Sequence, residues 1–249
     1  MPGLSNFIHL PPQPLISIVG AGGKTTTMYT LAAELAQRGK RVITTTTTNI
    51  YPPQAGETDE LIIAAETPTL LKMIRDAWKE HHRLTVAAST NDVGKLVGLQ
   101  PEQPYELLRG SGADAMIVEA DGARHLMIKA PAKHEPVIAS HTNIVLLMMS
   151  AEAIDQPLSS EIAHRPERIA AILGMNEGER LTPARIAKLM VHEQGGLKHI
   201  PESVVVYLLI THASVERQAG MQEVAALVQS SPRLAGIYYS PQPSEWYAI

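Results

Sequence analysis

A run of glycines ending in a cation and a hydroxyl, Gly20-Ala-Gly-Gly-Lys-Thr25, carries the first chemistry in this chain. Glycines let backbone N–H groups come close to an anion, and the first turn of a helix adds its positive dipole end, so such a run suits a polyphosphate. In that setting Lys24 is placed to reach the β- and γ-phosphates and the Thr25 hydroxyl to ligate Mg2+. The strict phosphate-loop spacing, G-x-x-x-x-G-K-[ST], would need glycine at position 18, where the chain has Ile18; the shorter form G-x-x-G-K-T fits from Gly20 to Thr25. Phosphate is predicted on the amides of residues 21–25, and Lys24 is read as an exposed loop cation whose removal leaves the fold intact.

A second constellation lies in Ala115-Met-Ile-Val-Glu119-Ala-Asp121-Gly122. Two carboxylates two residues apart on an extended segment point to the same side, and Gly122 then turns the chain. An acid at the end of an apolar strand, downstream of a phosphate loop, is where Mg2+ is held and an attacking water oriented. Asp121 is expected nearer the metal, because it is closer to the strand's open end, with Glu119 supporting it. Arg124, Lys129 and Lys133 follow in a proline-shaped loop suited to gripping an anionic substrate. In the run Thr44–Thr48 the first threonines read as packing, while Thr46, Thr47 and Thr48 are placed to touch phosphate, metal or substrate. The candidate catalytic residues are thus Lys24, Glu119, Asp121 and Arg124, and the candidate metal ligands Thr25, Glu119 and Asp121. The candidate nucleotide-binding set is Gly20, Ala21, Gly22, Gly23, Lys24, Thr25, Thr26, Thr46, Thr47 and Lys129.

These groups need strands that end together and helices that start beside them. Leu15–Val19 is a short apolar run before the glycines, and Met28, Leu31, Ala32 and Leu35 follow at helical spacing, with Gly39 placed to end the helix. Further strands are predicted at 41–49, 61–65, 84–89, 115–119, 143–149, 203–210 and 237–240. Between them fall a helix from Thr67-Pro68 with Leu70, Leu71, Ile74 and Trp78 inward, a short helix at 104–110 and a helix over 215–229. Residues 91–98 read as a flexible connector and 157–200 as a helical insertion, with Pro166 and Thr182-Pro183 at helix starts; Trp246 reads as a packing anchor. Apolar strands alternating with amphipathic helices predict one α/β domain over residues 1–249, a mostly parallel twisted sheet with helices on both faces.

Composition sets bounds on function. The 249 residues are 45% hydrophobic with one Phe, enough for a continuous aliphatic core. A net charge of −4 without a Lys/Arg-dense run gives nucleic acid no electrostatic footprint. With no cysteine, neither disulfides nor thiolate or persulfide chemistry can occur on the chain itself. No signal-like or membrane-length apolar run is present, and a cytoplasmic setting is expected.

The shortened phosphate loop resembles that of Mur ligases and folylpolyglutamate synthetases. Val19-Gly-Ala-Gly-Gly-Lys-Thr-Thr26, the threonines at 44–48, and Val118-Glu-Ala-Asp-Gly-Ala-Arg124 through Ile128-Lys-Ala-Pro131 to His134-Glu-Pro136 together resemble the YqeC family. That resemblance implies a P-loop NTPase-like fold and an ATP- or GTP-dependent accessory factor, working with Mg2+, in the maturation of selenium-dependent molybdenum hydroxylases. Its partners would be a nucleotide and a molybdenum-enzyme client or its cofactor. Thr211-His-Ala-Ser214 stands where GTPase-like relatives carry Asn-Lys-x-Asp, and lacks the carboxylate that pairs with guanine. A ligase or kinase acting on a small anionic substrate, and a non-hydrolysing nucleotide switch, are the alternative readings.

Overall fold

The computed structural model describes residues 2–249. The chain opens with β1 (Leu15–Gly20), which passes into α1 (Lys24–Gln37) through the glycine loop; Arg38 caps α1, and Gly39, whose φ is +76°, follows it. Then come β2 (Val42–Thr46), the two-residue β3 (Asn49–Ile50), β4 (Glu60–Ile63), α2 (Thr67–Ala77) and β5 (Arg83–Ala87). The helix α2 carries Pro68 in its first turn, but Glu66, not Thr67, is its N-cap. Two short strands, β6 (Ser89–Thr90) and β7 (Leu96–Val97), precede α3 (Gln103–Ser111) and β8 (Ala115–Glu119).

The second half runs through β9 (Ile128–Lys129), β10 (Ile144–Ser150), β11 (Ala163–His164), α4 (Pro166–Leu173) and α5 (Pro183–Met190), the last capped by the Thr182 hydroxyl. It closes with β12 (Val205–Thr211), α6 (Gln218–Val228), β13 (Leu234–Gln242) and β14 (Glu245–Ala248). The main sheet has nine strands in the order β14-β13-β12-β10-β1-β8-β2-β5-β4, and every neighbouring pair is parallel except β13 with β14.

Alternation along the central strands sorts the core onto two faces. Ile16 and Ile18 of β1, with Leu146 and Met148 of β10, pack against Met28, Leu31 and Leu35 of α1. Val19, Leu147 and Met149 face the other way, toward Ile169 of α4, Ile186 of α5 and Val224 of α6. Farther along that second face, Met116 and Val118 meet Leu70 and Ile74 of α2 and Leu107 of α3. Helices therefore cover both faces, and β1 and β8 lie side by side at the centre, Ile18 in register with Glu119.

Two predicted stretches differ. Residues 91–98 are not a loose connector: β6 and β7 form a hairpin that joins β3 in a three-stranded antiparallel sheet of its own. Strands this short carry little periodic signal, so only tertiary pairing reveals them. The C-terminus adds a nine-residue strand and a hairpin partner, longer than the tetrapeptide predicted, and Trp246 on β14 is sealed into the α1 face at 1% exposure. Trp246→Ala is expected to destabilise the chain by about 3–4 kcal/mol through the cavity it leaves. A denaturant midpoint unchanged from wild type would show that the terminal hairpin is dispensable.

Candidate functional site

The loop after β1 is shaped first by packing. A Cβ at Gly20 would lie 2.2 Å from Met148 O and one at Gly22 2.6 Å from Ser150 N, and both residues have left-handed φ, +98° and +80°. Only glycine lets the loop run this close to β10. Its first three amides are already used: Gly20 N–H donates to Asp121 Oδ2 at 3.0 Å, Ala21 N–H to Met148 O at 3.0 Å and Gly22 N–H to Leu126 O at 3.1 Å. The amides of Gly23, Lys24, Thr25 and Thr26 donate to no acceptor among the described residues. They open the first turn of α1, where such groups have no partner within the helix. The unpartnered amides thus form a cradle over 23–26 rather than the predicted 21–25, because the strand-end amides hold the loop to the sheet.

Lys24 is buried, at 4% exposure, not an exposed loop cation. Its Nζ donates to Gly20 O at 2.8 Å and lies 3.2 Å from Asp121 Oδ1 and 3.8 Å from Glu119 Oε1. The two carboxylates then divide. Glu119 Oε2 accepts the Thr25 hydroxyl at 2.7 Å, at the cradle's mouth. Asp121 turns inward: besides Gly20 N–H and Lys24, its Oδ2 is 3.0 Å from Lys129 Nζ. Glu119 therefore lies beside the Thr25 hydroxyl, and Asp121 behind it between Lys24 and Lys129. Burial pushes the Glu119 carboxyl above the usual carboxylate range; Lys24 and the Thr25 hydroxyl offset part of that, while Asp121 adds to it.

Lys129 is likewise not free for ligand. Its Nζ is enclosed by Asp121, Gly122 O at 2.6 Å and Glu135 Oε2 at 2.8 Å. Arg165 closes the far side of Glu135 with two hydrogen bonds, 2.7 and 3.1 Å. Charges therefore alternate from the loop into the helical layer: Lys24, Asp121, Lys129, Glu135, Arg165. Burial would raise the Glu135 carboxyl, but hydrogen bonds from Arg165 and Lys129 outweigh it and hold the group at about 2. Next to them His164, half-buried and facing Arg165 and Lys129, is held down at about 4.

The threonine run has a different task from the one predicted. Thr46, fully buried, donates to Glu119 O at 2.8 Å, and Thr47 Oγ1 to Val137 O at 2.5 Å, so both hydroxyls are spent on backbone. Thr48 N–H and Oγ1 both meet the Thr46 hydroxyl, at 3.0 and 3.1 Å. Arg124 is exposed and does reach the cavity in front of Thr25; Lys133 does not line it. Sequence reasoning missed Tyr51, Lys95 and His125, which line the same cavity: Tyr51 and Lys95 sit in irregular stretches with no motif around them, and His125 lies inside the 118–136 motif, where the carboxylates and cations beside it drew the reading.

Two cavities flank the cradle and share Gly23 and Thr26 as walls. The larger, about 660 Å3, opens past Lys24, Thr25 and Glu119 on the β8 and β2 side. The smaller, about 70 Å3, lies toward β12 and β13, lined by His212, Pro241, Pro243 and Trp246. Thr211, at the end of β12, donates its hydroxyl to Gly22 O at 2.6 Å and so fixes the loop from that side.

A parallel sheet whose central strand turns through glycines into a helix with free N-terminal amides, next to a strand ending in a carboxylate, defines a fold of the P-loop class. The chain belongs to the YqeC family: the model of the YqeC protein family matches residues 16–167. The Escherichia coli K12 protein YqeC is 30% identical over 194 residues, which span 76% of this chain and 72% of that one. Among solved structures, the chain is similar to the 54 kDa signal recognition particle protein of Aeropyrum pernix K1, at 17% identity and a TM-score of 0.43, over 95% of this chain and 44% of that one. It is also similar to the MinD cell division protein of Aquifex aeolicus, at 13% identity and a TM-score of 0.40, over 90% and 81%. Neither structural likeness bears on ligand or activity.

The buried charge chain makes stability depend on acid in two windows. His164 takes up its proton only near pH 4 when folded but near 6.5 when unfolded, so its contribution is whole above 6.5 and lost on the way down to 4. Glu135 is depressed from 4.5 to about 2, so its contribution is whole above 4.5 and lost toward 2. Glu135→Gln is expected to cost about 3 kcal/mol at neutral pH, by stripping Lys129 and Arg165 of their shared partner, and to flatten the lower window. Denaturant unfolding from pH 7 to 2.5 reads both; an unaltered lower window in the variant would take Glu135 out of the account.

Proposed function

We propose that this chain binds a nucleoside triphosphate, ATP or GTP, together with Mg2+, and uses it as an accessory factor in the maturation of selenium-dependent molybdenum hydroxylases. The observation that carries the nucleotide part is the Thr25–Glu119 hydrogen bond of 2.7 Å at the mouth of four unpartnered amides. Terminal phosphates on the amides of 23–26 would draw Lys24 from Gly20 O toward the anion, and Asp121 would keep Gly20 N–H and Lys129. Thr25 and Glu119 are suited to hold Mg2+, which neutralises developing charge on the phosphates when bound. Among the described residues no group of three or more His, Asp or Glu side chains is placed to hold a metal unaided. Two protein oxygens completed by phosphate oxygens and water is the ordinary arrangement for this ion.

The maturation role is what the resemblance to the YqeC family implies. The absence of cysteine means that any sulfur or selenium would be carried by a partner. No described helix is long and apolar enough to cross a membrane.

Titration calorimetry with ATP and GTP analogues, with and without Mg2+, tests the nucleotide reading. Lys24→Ala should lower affinity at least about tenfold and also cost about 2 kcal/mol of stability, since Asp121 and Glu119 lose a buried cation. Glu119→Gln should remove most of the gain in affinity that Mg2+ gives, whereas Asp121→Asn should act first on stability. Wild-type magnesium dependence in Glu119→Gln, or unchanged binding in Lys24→Ala, would sink this assignment.

A further inference from the structure

The larger cavity has more room than phosphates and a metal need, and its outer wall comes from elements the phosphate loop does not require. Tyr51 follows β3, Lys95 precedes β7, and Arg124 and His125 lie in the loop after β8. Three separate segments thus meet around one ring. The Lys95 ammonium sits 4.4 Å from the centre of the Tyr51 ring, and His125 stacks on that ring at 6.0 Å with 23° between planes. Tyr51 nevertheless remains 55% exposed toward the cavity mouth.

The charge is unbalanced. Neither Lys95 nor Arg124 pairs with a carboxylate among the described residues, whereas Lys24 and Lys129 do. Of the acids on the wall, Glu119 lies 3.8 Å from Lys24, and Glu57, which accepts Gln54 N–H at 2.7 Å, is left as the one carboxylate against Lys95 and Arg124. Arg124 and His125 are held in consecutive left-handed conformations, φ +51° and +60°, a departure that costs on the order of 1 kcal/mol per residue, and both line the cavity. The adjoining Gly122 and Leu126 tie this loop to the cradle: Gly122 O accepts from Lys129, and Leu126 O from Gly22 N–H.

We infer that the wall formed by Tyr51, Lys95, Arg124 and His125 is the binding site for a second ligand, a small molecule bearing a carboxylate or phosphate, seated beyond the nucleotide's terminal phosphate. The inference rests on the nucleotide reading for the order of the two ligands and favours a transferase or ligase over a plain switch. The smaller cavity lies on the opposite side of the cradle from this wall.

Inorganic phosphate is the probe. It is titrated into the isotope-labelled full chain, once nucleotide-free and once saturated with a Mg2+-bound non-hydrolysable triphosphate, while backbone amide shifts are followed. The expected result is saturable shifts at Tyr51, Lys95, Arg124 and His125 in both titrations. Lys95→Glu should weaken them at least about tenfold, and Lys95→Arg should retain them. Shifts confined to 23–26, unsaturable shifts at the wall, or wild-type affinity in Lys95→Glu overturn the site. Should the triphosphate itself leave 23–26 undisturbed, the nucleotide reading fails instead, and the behaviour of the four wall residues still decides the second site. Thermal unfolding of each variant confirms that it remains folded.

Discussion

A carboxylate with 2% exposure needs the protein to replace the water it has lost, and Asp121 is such a group. Gly20 N–H, Lys24 and Lys129 supply that replacement from three directions. Each of them is in turn fixed by what Asp121 requires. Gly20 must stay against β10, Lys24 must lie back along the loop, and Lys129 must bury its chain and find Glu135. Glu135 then requires Arg165, which immediately precedes α4. One buried acid so links the phosphate loop, the strand beside it, the proline-shaped segment and the helical layer.

Such a chain of charges is costly to bury and strongly penalised when broken, so it favours a single arrangement over many. The same property makes it responsive. If an anion at the amides of 23–26 recruits Lys24, Asp121 exchanges two cations for one, and the change is passed to Lys129 and Glu135. Neighbouring side chains in one buried network couple more strongly than distant ones. The strand arrangement keeps this local: β1 and β8 are adjacent and in register at the point where loop and carboxylates emerge.

Much of the frame was legible in the sequence because it rests on periodicity. The apolar runs of β1, β8, β10 and β12, the spacing in α1 and the capping at Thr182 each announce themselves within a dozen residues. What could not be read is what depends on distant partners. The threonines at 46 and 47 look like ligand hydroxyls until Glu119 O and Val137 O are seen to take them. Lys129 reads as a loop cation until Asp121 and Glu135 enclose it. Lys95 and Tyr51 carried no signal, since the three-stranded sheet that brings them together has strands of two residues each. Glu119 and Asp121 were recognised as a pair, but their division of labour follows from which one faces Thr25, and spacing along one strand does not contain that.

The glycines of the loop bear on how such chains are recognised. Gly20 and Gly22 are required by the closeness of Met148 and Ser150, before any phosphate is considered, whereas Gly23, where a Cβ would meet nothing nearer than His212 Cε1 at 3.9 Å, is held to glycine by its φ of +96° alone. A descendant that abandoned nucleotides would still be obliged to retain the first two, because losing them would unseat β1 from β10. Glycine spacing is therefore a fossil of the architecture. Nucleotide use, if inherited, would be recorded instead at Thr25 and Glu119, which meet each other at the mouth of the unpartnered amides.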